Sequence, residues 1–365
     1  MNKPFFSIVI PYYAQSETID LLKRQLNYYH NHEVSCFVII AVSGQKNIIE
    51  ELQKFIEDTS NTNFKIVTHD DDNVKNINTF ISKTYDAIQT ITTPYAVVNG
   101  ADDVLILDTV AKCCNELASN PEISGIKGHT VYYNANNGKI FCSNDISIID
   151  NKVSNRIKYA IQDRDSIFYI VQKSSTLLDE FRILHTIYQS AKDLFTENLF
   201  LIEHIRALNV ASLGNVKVLE TPWRVQTTHD HNHSSHTLAS FVRIKKGLLD
   251  RDSYKLFQEL NVSMKVMSNA KYKLLSTISQ IKSAHTTCKQ ILYEYFHRRI
   301  SLKSFFKIGI CFLLNKLFQF FFSKKPMNYY YFNNDFITTK IYESLKTQYF
   351  SATDISLIES FKNNE

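Results

Sequence analysis

An α/β fold built on a mostly parallel sheet flanked by helices follows from two features of the 365-residue chain. Short, continuously apolar runs recur through its N-terminal part, and each is separated from the next by an amphipathic stretch long enough for a helix. A continuous apolar run is what a strand buried on both faces requires. Strand–helix–strand repeats of this length impose parallel pairing with right-handed crossovers.

The elements follow in order. Phe5-Phe6-Ser7-Ile8-Val9-Ile10 forms the first strand, which Pro11 is expected to end. Ser16 offers an N-cap for a helix whose Ile19, Leu22, Leu26 and Tyr29 share one face. Cys36 to Val42 is a second buried strand, stopped by Ser43-Gly44, and Ile48, Leu52, Phe55 and Ile56 mark the helix after it. A third strand, Phe64 to Thr68, runs into the acidic loop His69-Asp70-Asp71-Asp72-Asn73. Ile77, Phe80, Ile81, Tyr85 and Ile88 give the next helix face, and Tyr95 to Asn99 is a fourth strand emptying into Gly100-Ala101-Asp102-Asp103.

The middle of the chain is less regular. A strand at 122–133 turns at Asn136-Asn137-Gly138 into 139–142, a hairpin. Helical stretches are expected near 157–178 and 196–207, then a short strand at 216–219 leading to Pro222-Trp223-Arg224. A histidine-rich segment covers His229 to His236, and the signal from about Thr237 onward is helical. The expected organisation is therefore an α/β domain over 1–236 and a helical C-terminal extension over 237–365.

Composition removes several function classes. A hydrophobic fraction of 44% and an aromatic fraction of 13% describe a globular chain. A net charge of only +5 argues against a general nucleic-acid binder. The 6 cysteines form no CxxC pair, which fits reduced thiols in the cytoplasm, and the N-terminus does not have the pattern of a signal peptide. Arg298-Arg299, the run Phe305 to Phe322 and Lys324-Lys325 suggest a helix lying in a membrane surface. Lys307, Asn315, Lys316 and Gln319 interrupt that run and argue against a spanning helix. The expected location is cytoplasmic, peripheral on the inner face of the cytoplasmic membrane through 298–325. The competing reading is a core helix of a C-terminal bundle.

In open α/β sheets ligands bind beyond the carboxyl ends of the strands. Tyr12, Ser43, Asp70 to Asn73, Asp102 and Asp103 all follow such ends. Adjacent carboxylates at a strand end suit Mg²⁺ or Mn²⁺, with pyrophosphate oxygens completing the coordination. The competing reading makes the two aspartates caps of a helix starting near Leu107 or Asp108.

Ser7-Ile8-Val9-Ile10-Pro11-Tyr12-Tyr13, Asn73 through Asn78, Thr93 through Val104, Asp193 through Leu201 and Gly214-Asn215-Val216 with Pro222-Trp223-Arg224 together resemble the family 2 glycosyltransferases with the GT-A fold. The resemblance spans about residues 5 to 236. It implies a nucleotide-diphospho-sugar transferase in surface polysaccharide or lipopolysaccharide synthesis. It places the donor, a UDP-sugar on family frequency, against Pro11, Tyr12, Tyr13, Ser43, Asp72, Asn73, Asn78, Asp102 and Arg224. It gives Mn²⁺ or Mg²⁺ to Asp102 and Asp103 with His229 or His231. Glu197, with Asp193 as the other candidate, becomes the base of an inverting displacement onto a glycan or lipid-linked acceptor.

This chain departs from that pattern at three points: Ala41-Val42-Ser43-Gly44 lacks the acid expected after strand two, the metal motif reads Gly100-Ala101-Asp102-Asp103 and leaves its first acidic position open, and Asn198 replaces the usual second acid. The departures keep a noncatalytic sugar- or lipid-binding scaffold in play. A nucleotidyltransferase is the same-fold alternative, although Pro11 to Gln15 contains no glycine for a phosphate loop.

Overall fold

The computed structural model describes residues 5–16, 18–60, 62–70, 77–134, 139–143, 145–160, 167–190, 206–207 and 209–228. The N-terminal part alternates as expected: β1 (Phe6–Ala14), α1 (Ile19–Asn31), β2 (Phe37–Gly44), α2 (Lys46–Thr59), β3 (Phe64–Thr68), α3 (Ile77–Gln89) and β4 (Tyr95–Val98). A short strand β5 (Asp103–Leu105) then leads into α4 (Leu107–Ser119). The hairpin strands β6 (Ile123–Asn134) and β7 (Lys139–Cys142) precede α5 (Val153–Ala160), β8 (Gln172–Lys173), α6 (Ser174–Ser190) and β9 (Asn215–Thr228).

One sheet has the order β3-β2-β1-β4-β8, parallel except for β8 at its edge. Residues alternate across it. Phe6, Ile8, Ile10 and Tyr12 of β1 pack with α1, α2 and α4, whereas Val9 faces α3 and α6 on the other side. Helices therefore cover both faces, which is why these strands are apolar throughout. The second sheet, β5-β9-β6-β7, pairs β6 in parallel with β9, with irregularities near His129 and Pro222. No helix among the described residues is long and apolar enough to cross a membrane.

β2 takes in Ser43 and Gly44, which were expected to stop it, and four other boundaries differ from expectation, each for a local reason. β1 continues through Pro11 to Ala14. The Asn99 N–H bonds the Val9 carbonyl, so the odd-numbered residues of β1 turn their backbone toward β4, which ends at Val98. Pro11 is the next of that set and lies past its partner, so its missing N–H costs no ladder bond. α1 starts after Thr18 rather than Ser16, and Thr18 makes no side-chain cap bond. The stretch expected to be helical at 157–178 is interrupted by β8, whose Gln172 pairs with Ala96 of β4. β9 runs far beyond 216–219 and carries Pro222, Trp223 and Arg224 inside it, its Pro222 opposite His129 where the register slips. The extension at 237–365 lies outside the described residues.

Candidate functional site

The turn after β4 forms the acidic part of the site. Its chain leaves the sheet at Asn99, turns through Gly100 to Asp102 and re-enters the second sheet as β5. Neither aspartate caps α4: the N-cap position is Ile106, and β5 lies between it and Asp102. The capping explanation of the acidic pair therefore fails.

Asp102 is half-buried and Asp103 is only 3% exposed. A Cβ placed on Gly100 would stand 2.9 Å from Asp102 Oδ1 and 3.0 Å from Asp103 Oδ2. Both carboxylates thus converge on the space that a side chain at position 100 would fill. That crowding is a physical reason for glycine at position 100.

Arg224 reaches the same place from β9, which pairs antiparallel with β5. Its guanidinium is 3.7 Å from the centre of the Tyr169 ring, and Nη1 is 4.0 Å from Asp103 Oδ2. Nη2 donates to Gln226 Oε1. Arg224 is 3% exposed, yet its Nε and Nη1 have no hydrogen-bond partner. Burying charged donors unfilled is costly, so such groups normally meet an acceptor.

At the ends of β1 and β2 the expected residues are more deeply set. The Tyr12 ring is part of the core beneath α1 and α2, and its hydroxyl donates to the Gln15 carbonyl at 3.2 Å. Burial pushes this phenol above its ordinary pKa. The neighbouring Pro11 and Tyr13 are half-buried. Gly44 has φ +112°, and a Cβ there would lie 2.8 Å from the Ala14 carbonyl oxygen and 3.0 Å from the Tyr13 ring, so only glycine lets the two strand ends close up.

Ser43 is fully buried, and its hydroxyl accepts from Lys83 Nζ at 3.1 Å; the same amine donates to the Tyr12 carbonyl at 2.7 Å. Lys83 was not anticipated from the sequence. Its only hint is a helical position three residues after Phe80 and four before Ala87, on a face that is apolar on both sides. Burial pulls its amine down to about 7. Beyond β3, His69 Nδ1 lies 3.2 Å from Asp86 Oδ2, and Asp70 is exposed.

Asn78 falls on α3. Asp72, Asn73, Asp193, Glu197, His229 and His231, and the segment 298–325, lie outside the described residues. The structure therefore brings together Asp102, Asp103 and Arg224, with Pro11, Tyr12, Tyr13 and Ser43 at the adjoining strand ends. Among the described residues, no three His, Cys, Asp or Glu side chains gather as a metal site. Two convergent carboxylates repel a polyanion unless a cation lies between them, whereas an unfilled guanidinium attracts one directly.

No protein-family model matches the chain, and no curated protein matches it. Solved structures that resemble it include residues 1–349 of S. aureus TarS in complex with UDP-GlcNAc, at 13% identity and a TM-score of 0.47 over 78% of each chain. A second structure of the same S. aureus fragment gives 10% identity and a TM-score of 0.44, over 78% of this chain and 77% of the other. Its complex with UDP gives 13% and 0.41, over 98% of this chain and 90% of the other.

Proposed function

We propose that the chain is a nucleotide-sugar-dependent glycosyltransferase on a GT-A-type frame. The observation that supports this most directly is the buried Arg224, with donors unfilled, beside two carboxylates that converge over Gly100 at the carboxyl edge of a parallel sheet. A diphosphate accompanied by a divalent cation satisfies that set: the guanidinium takes a phosphate oxygen, and Asp102 and Asp103 hold the cation. Asp102 is the more accessible ligand, since Asp103 already faces Arg224. Mg²⁺ or Mn²⁺ bound there would neutralise charge on the departing nucleoside diphosphate. His229 or His231 is the proposed further ligand.

The transfer is an inverting displacement. An acceptor hydroxyl forms the new bond to the anomeric carbon as the bond from that carbon to the diphosphate oxygen breaks, and the hydroxyl proton passes to a carboxylate. Glu197 is the proposed base, with Asp193 as the second candidate. The acceptor is a glycan or a lipid-linked sugar of surface polysaccharide or lipopolysaccharide synthesis. The aromatic run at 298–325 is proposed to rest on the membrane that carries it, at the cytoplasmic face.

The test is ligand-induced stabilisation, because a ligand that binds only the folded chain raises its melting temperature. Nucleoside diphosphates with and without Mn²⁺ are screened, starting with UDP and UDP-GlcNAc. At least one is expected to raise the melting temperature by several degrees with Mn²⁺, to support slow Mn²⁺-dependent hydrolysis of the matching sugar nucleotide, and to lose both effects in Asp102→Ala. A shift without turnover would favour the noncatalytic scaffold. The absence of any shift across the panel would remove the reading altogether.

A further inference from the structure

The acidic turn is held from beneath by a residue far away in sequence. Gln25 lies on α1 and is 1% exposed, among Leu22, Leu26, Tyr28 and Tyr29 on the buried face of that helix. A primary amide at such a position is costly unless its donors are used. Its Nε2 donates toward the Asp103 carbonyl, stands 3.3 Å from the Gly100 carbonyl and 3.1 Å from Tyr29 Oη. The Gly100 carbonyl opens the turn, one peptide before the plane that joins Ala101 to Asp102, and the Asp103 carbonyl closes it. Asn99 Nδ2 supports the same turn from within, at 2.8 Å from the Asp103 carbonyl and 3.2 Å from that of Gly100. With both carbonyls drawn toward the core, the peptide planes that open and close the turn are fixed, and the two carboxylates meet over Gly100.

We infer that Gln25 is a positioning residue: its buried amide sets the backbone of the 100–103 turn and thereby the convergence of the Asp102 and Asp103 carboxylates. The consequence for ligand binding rests on the proposed function; the consequence for the turn does not. Tyr29 supplies the internal control. Its hydroxyl shares the same amide and accepts the Leu105 N–H at 3.1 Å, but it makes no hydrogen bond to either carbonyl of the turn. A Tyr29→Phe change therefore removes a buried hydrogen-bonding group of the same helix without releasing the turn.

Hydrogen exchange at the amides of Ala101 to Asp103 is measured in wild type, Gln25→Met and Tyr29→Phe, each at the same distance below its own melting temperature. Gln25→Met is expected to speed exchange there about tenfold, the loss of about 1.4 kcal/mol of local protection, while Tyr29→Phe leaves it within about twofold. Equal exchange in the two variants would overturn the inference. Gln25→Asn, which keeps an amide but withdraws its reach, takes the place of Gln25→Met if the latter does not fold. Thermal shift with Mn²⁺ and UDP gives the second readout: Gln25→Met is expected to lose most of the wild-type shift and Tyr29→Phe to keep it, and a full shift in Gln25→Met would also overturn the inference. If wild type itself shows no shift with any nucleoside diphosphate, the glycosyltransferase reading fails, and the exchange measurement alone decides the role of Gln25.

Discussion

Among the described residues, two arginines are buried in ion pairs with carboxylates, and they are buried differently. Arg206 is fully enclosed: Nη1 donates to the Phe168 carbonyl at 2.6 Å, Nη2 to Gln172 Oε1 at 3.3 Å, and Nε stands 3.2 Å from Glu180 Oε1. The last of these is an ion pair with no hydrogen bond between the two atoms. The rings of Phe168 and Phe181 lie 4.8 Å and 5.3 Å from the guanidinium. Arg224 has one ring, one side-chain acceptor and a carboxylate at 4.0 Å, with two of its nitrogens unfilled. Arg206 fastens α6 to the sheet edge through β8; Arg224 opens on the acidic turn. Burial of a charge does not by itself mark a site. The distinguishing features are unfilled donors and a place at the carboxyl edge.

The largest effect expected from breaking this contrast is on stability at the closed pair. Burial pushes the Glu180 carboxyl above its ordinary pKa despite the opposing pull of Arg206 and the hydrogen bond that Gln172 Nε2 donates to Glu180 Oε2 at 3.0 Å. Glu180→Ala should destabilise the fold by about 3–5 kcal/mol in denaturant unfolding, because it strands a buried guanidinium. Replacing both partners, Glu180→Leu with Arg206→Met, should recover much of that loss. A double variant no more stable than the single would mean that the pair matters chiefly through Phe168 and Gln172.

The open pair should behave in the opposite way. Arg224→Met is expected to cost only about 1–2 kcal/mol of stability, since it removes unfilled donors along with a distant ion pair. It should nevertheless abolish the stabilisation by Mn²⁺ and a nucleoside diphosphate, which Glu180→Ala should retain in whatever fraction remains folded. Identical ligand responses in the two variants would erase the distinction between a structural and a binding arginine.

The same contrast explains what the sequence made legible. The parallel sheet was readable because strands buried on both faces leave no choice of residue type: Ile8, Val9 and Ile10, or Val38 to Ala41, fit little else. Asp102 and Asp103 stood out because they follow the end of an apolar strand, whereas Arg224 was singled out only through the resemblance. Strand ends were harder. Pro11 reads as a stop, yet its neighbour β4 has already ended on the side where an N–H would be missed. The short strand expected at 216–219 continues through Pro222 as part of β9, where the slip opposite His129 accommodates the proline. Tyr12 was expected at the ligand, but alternation along β1 turns it into the core and leaves Tyr13 on the other face. Lys83 and Gln25 were invisible because each sits on a helix whose neighbours predict only packing, and their partners lie on other strands.

Lys83 gives the smallest and most specific test, since it is a buried cation whose hydrogen bonds go to neutral oxygens, the Tyr12 carbonyl and the Ser43 hydroxyl. Its folded pKa near 7 lies below the ordinary 10.5, because burial disfavours the ammonium. Below about pH 7 the lysine is charged whether the chain is folded or not, and it adds no pH dependence. Between about 7 and 10.5 the unfolded chain holds a proton that the folded chain has released, so stability should rise with pH, by up to about 1.4 kcal/mol per pH unit for this one group. Unfolding measured from pH 7 to 9 should show this slope in wild type and a shallower one in Lys83→Met; parallel slopes would show that the amine is charged inside the fold. An anion docked at this edge favours the ammonium, so a bound nucleoside diphosphate should flatten the wild-type slope toward that of the variant. In that case Lys83 responds to the ligand as Arg224 does, and it belongs with the open arginine rather than the closed one.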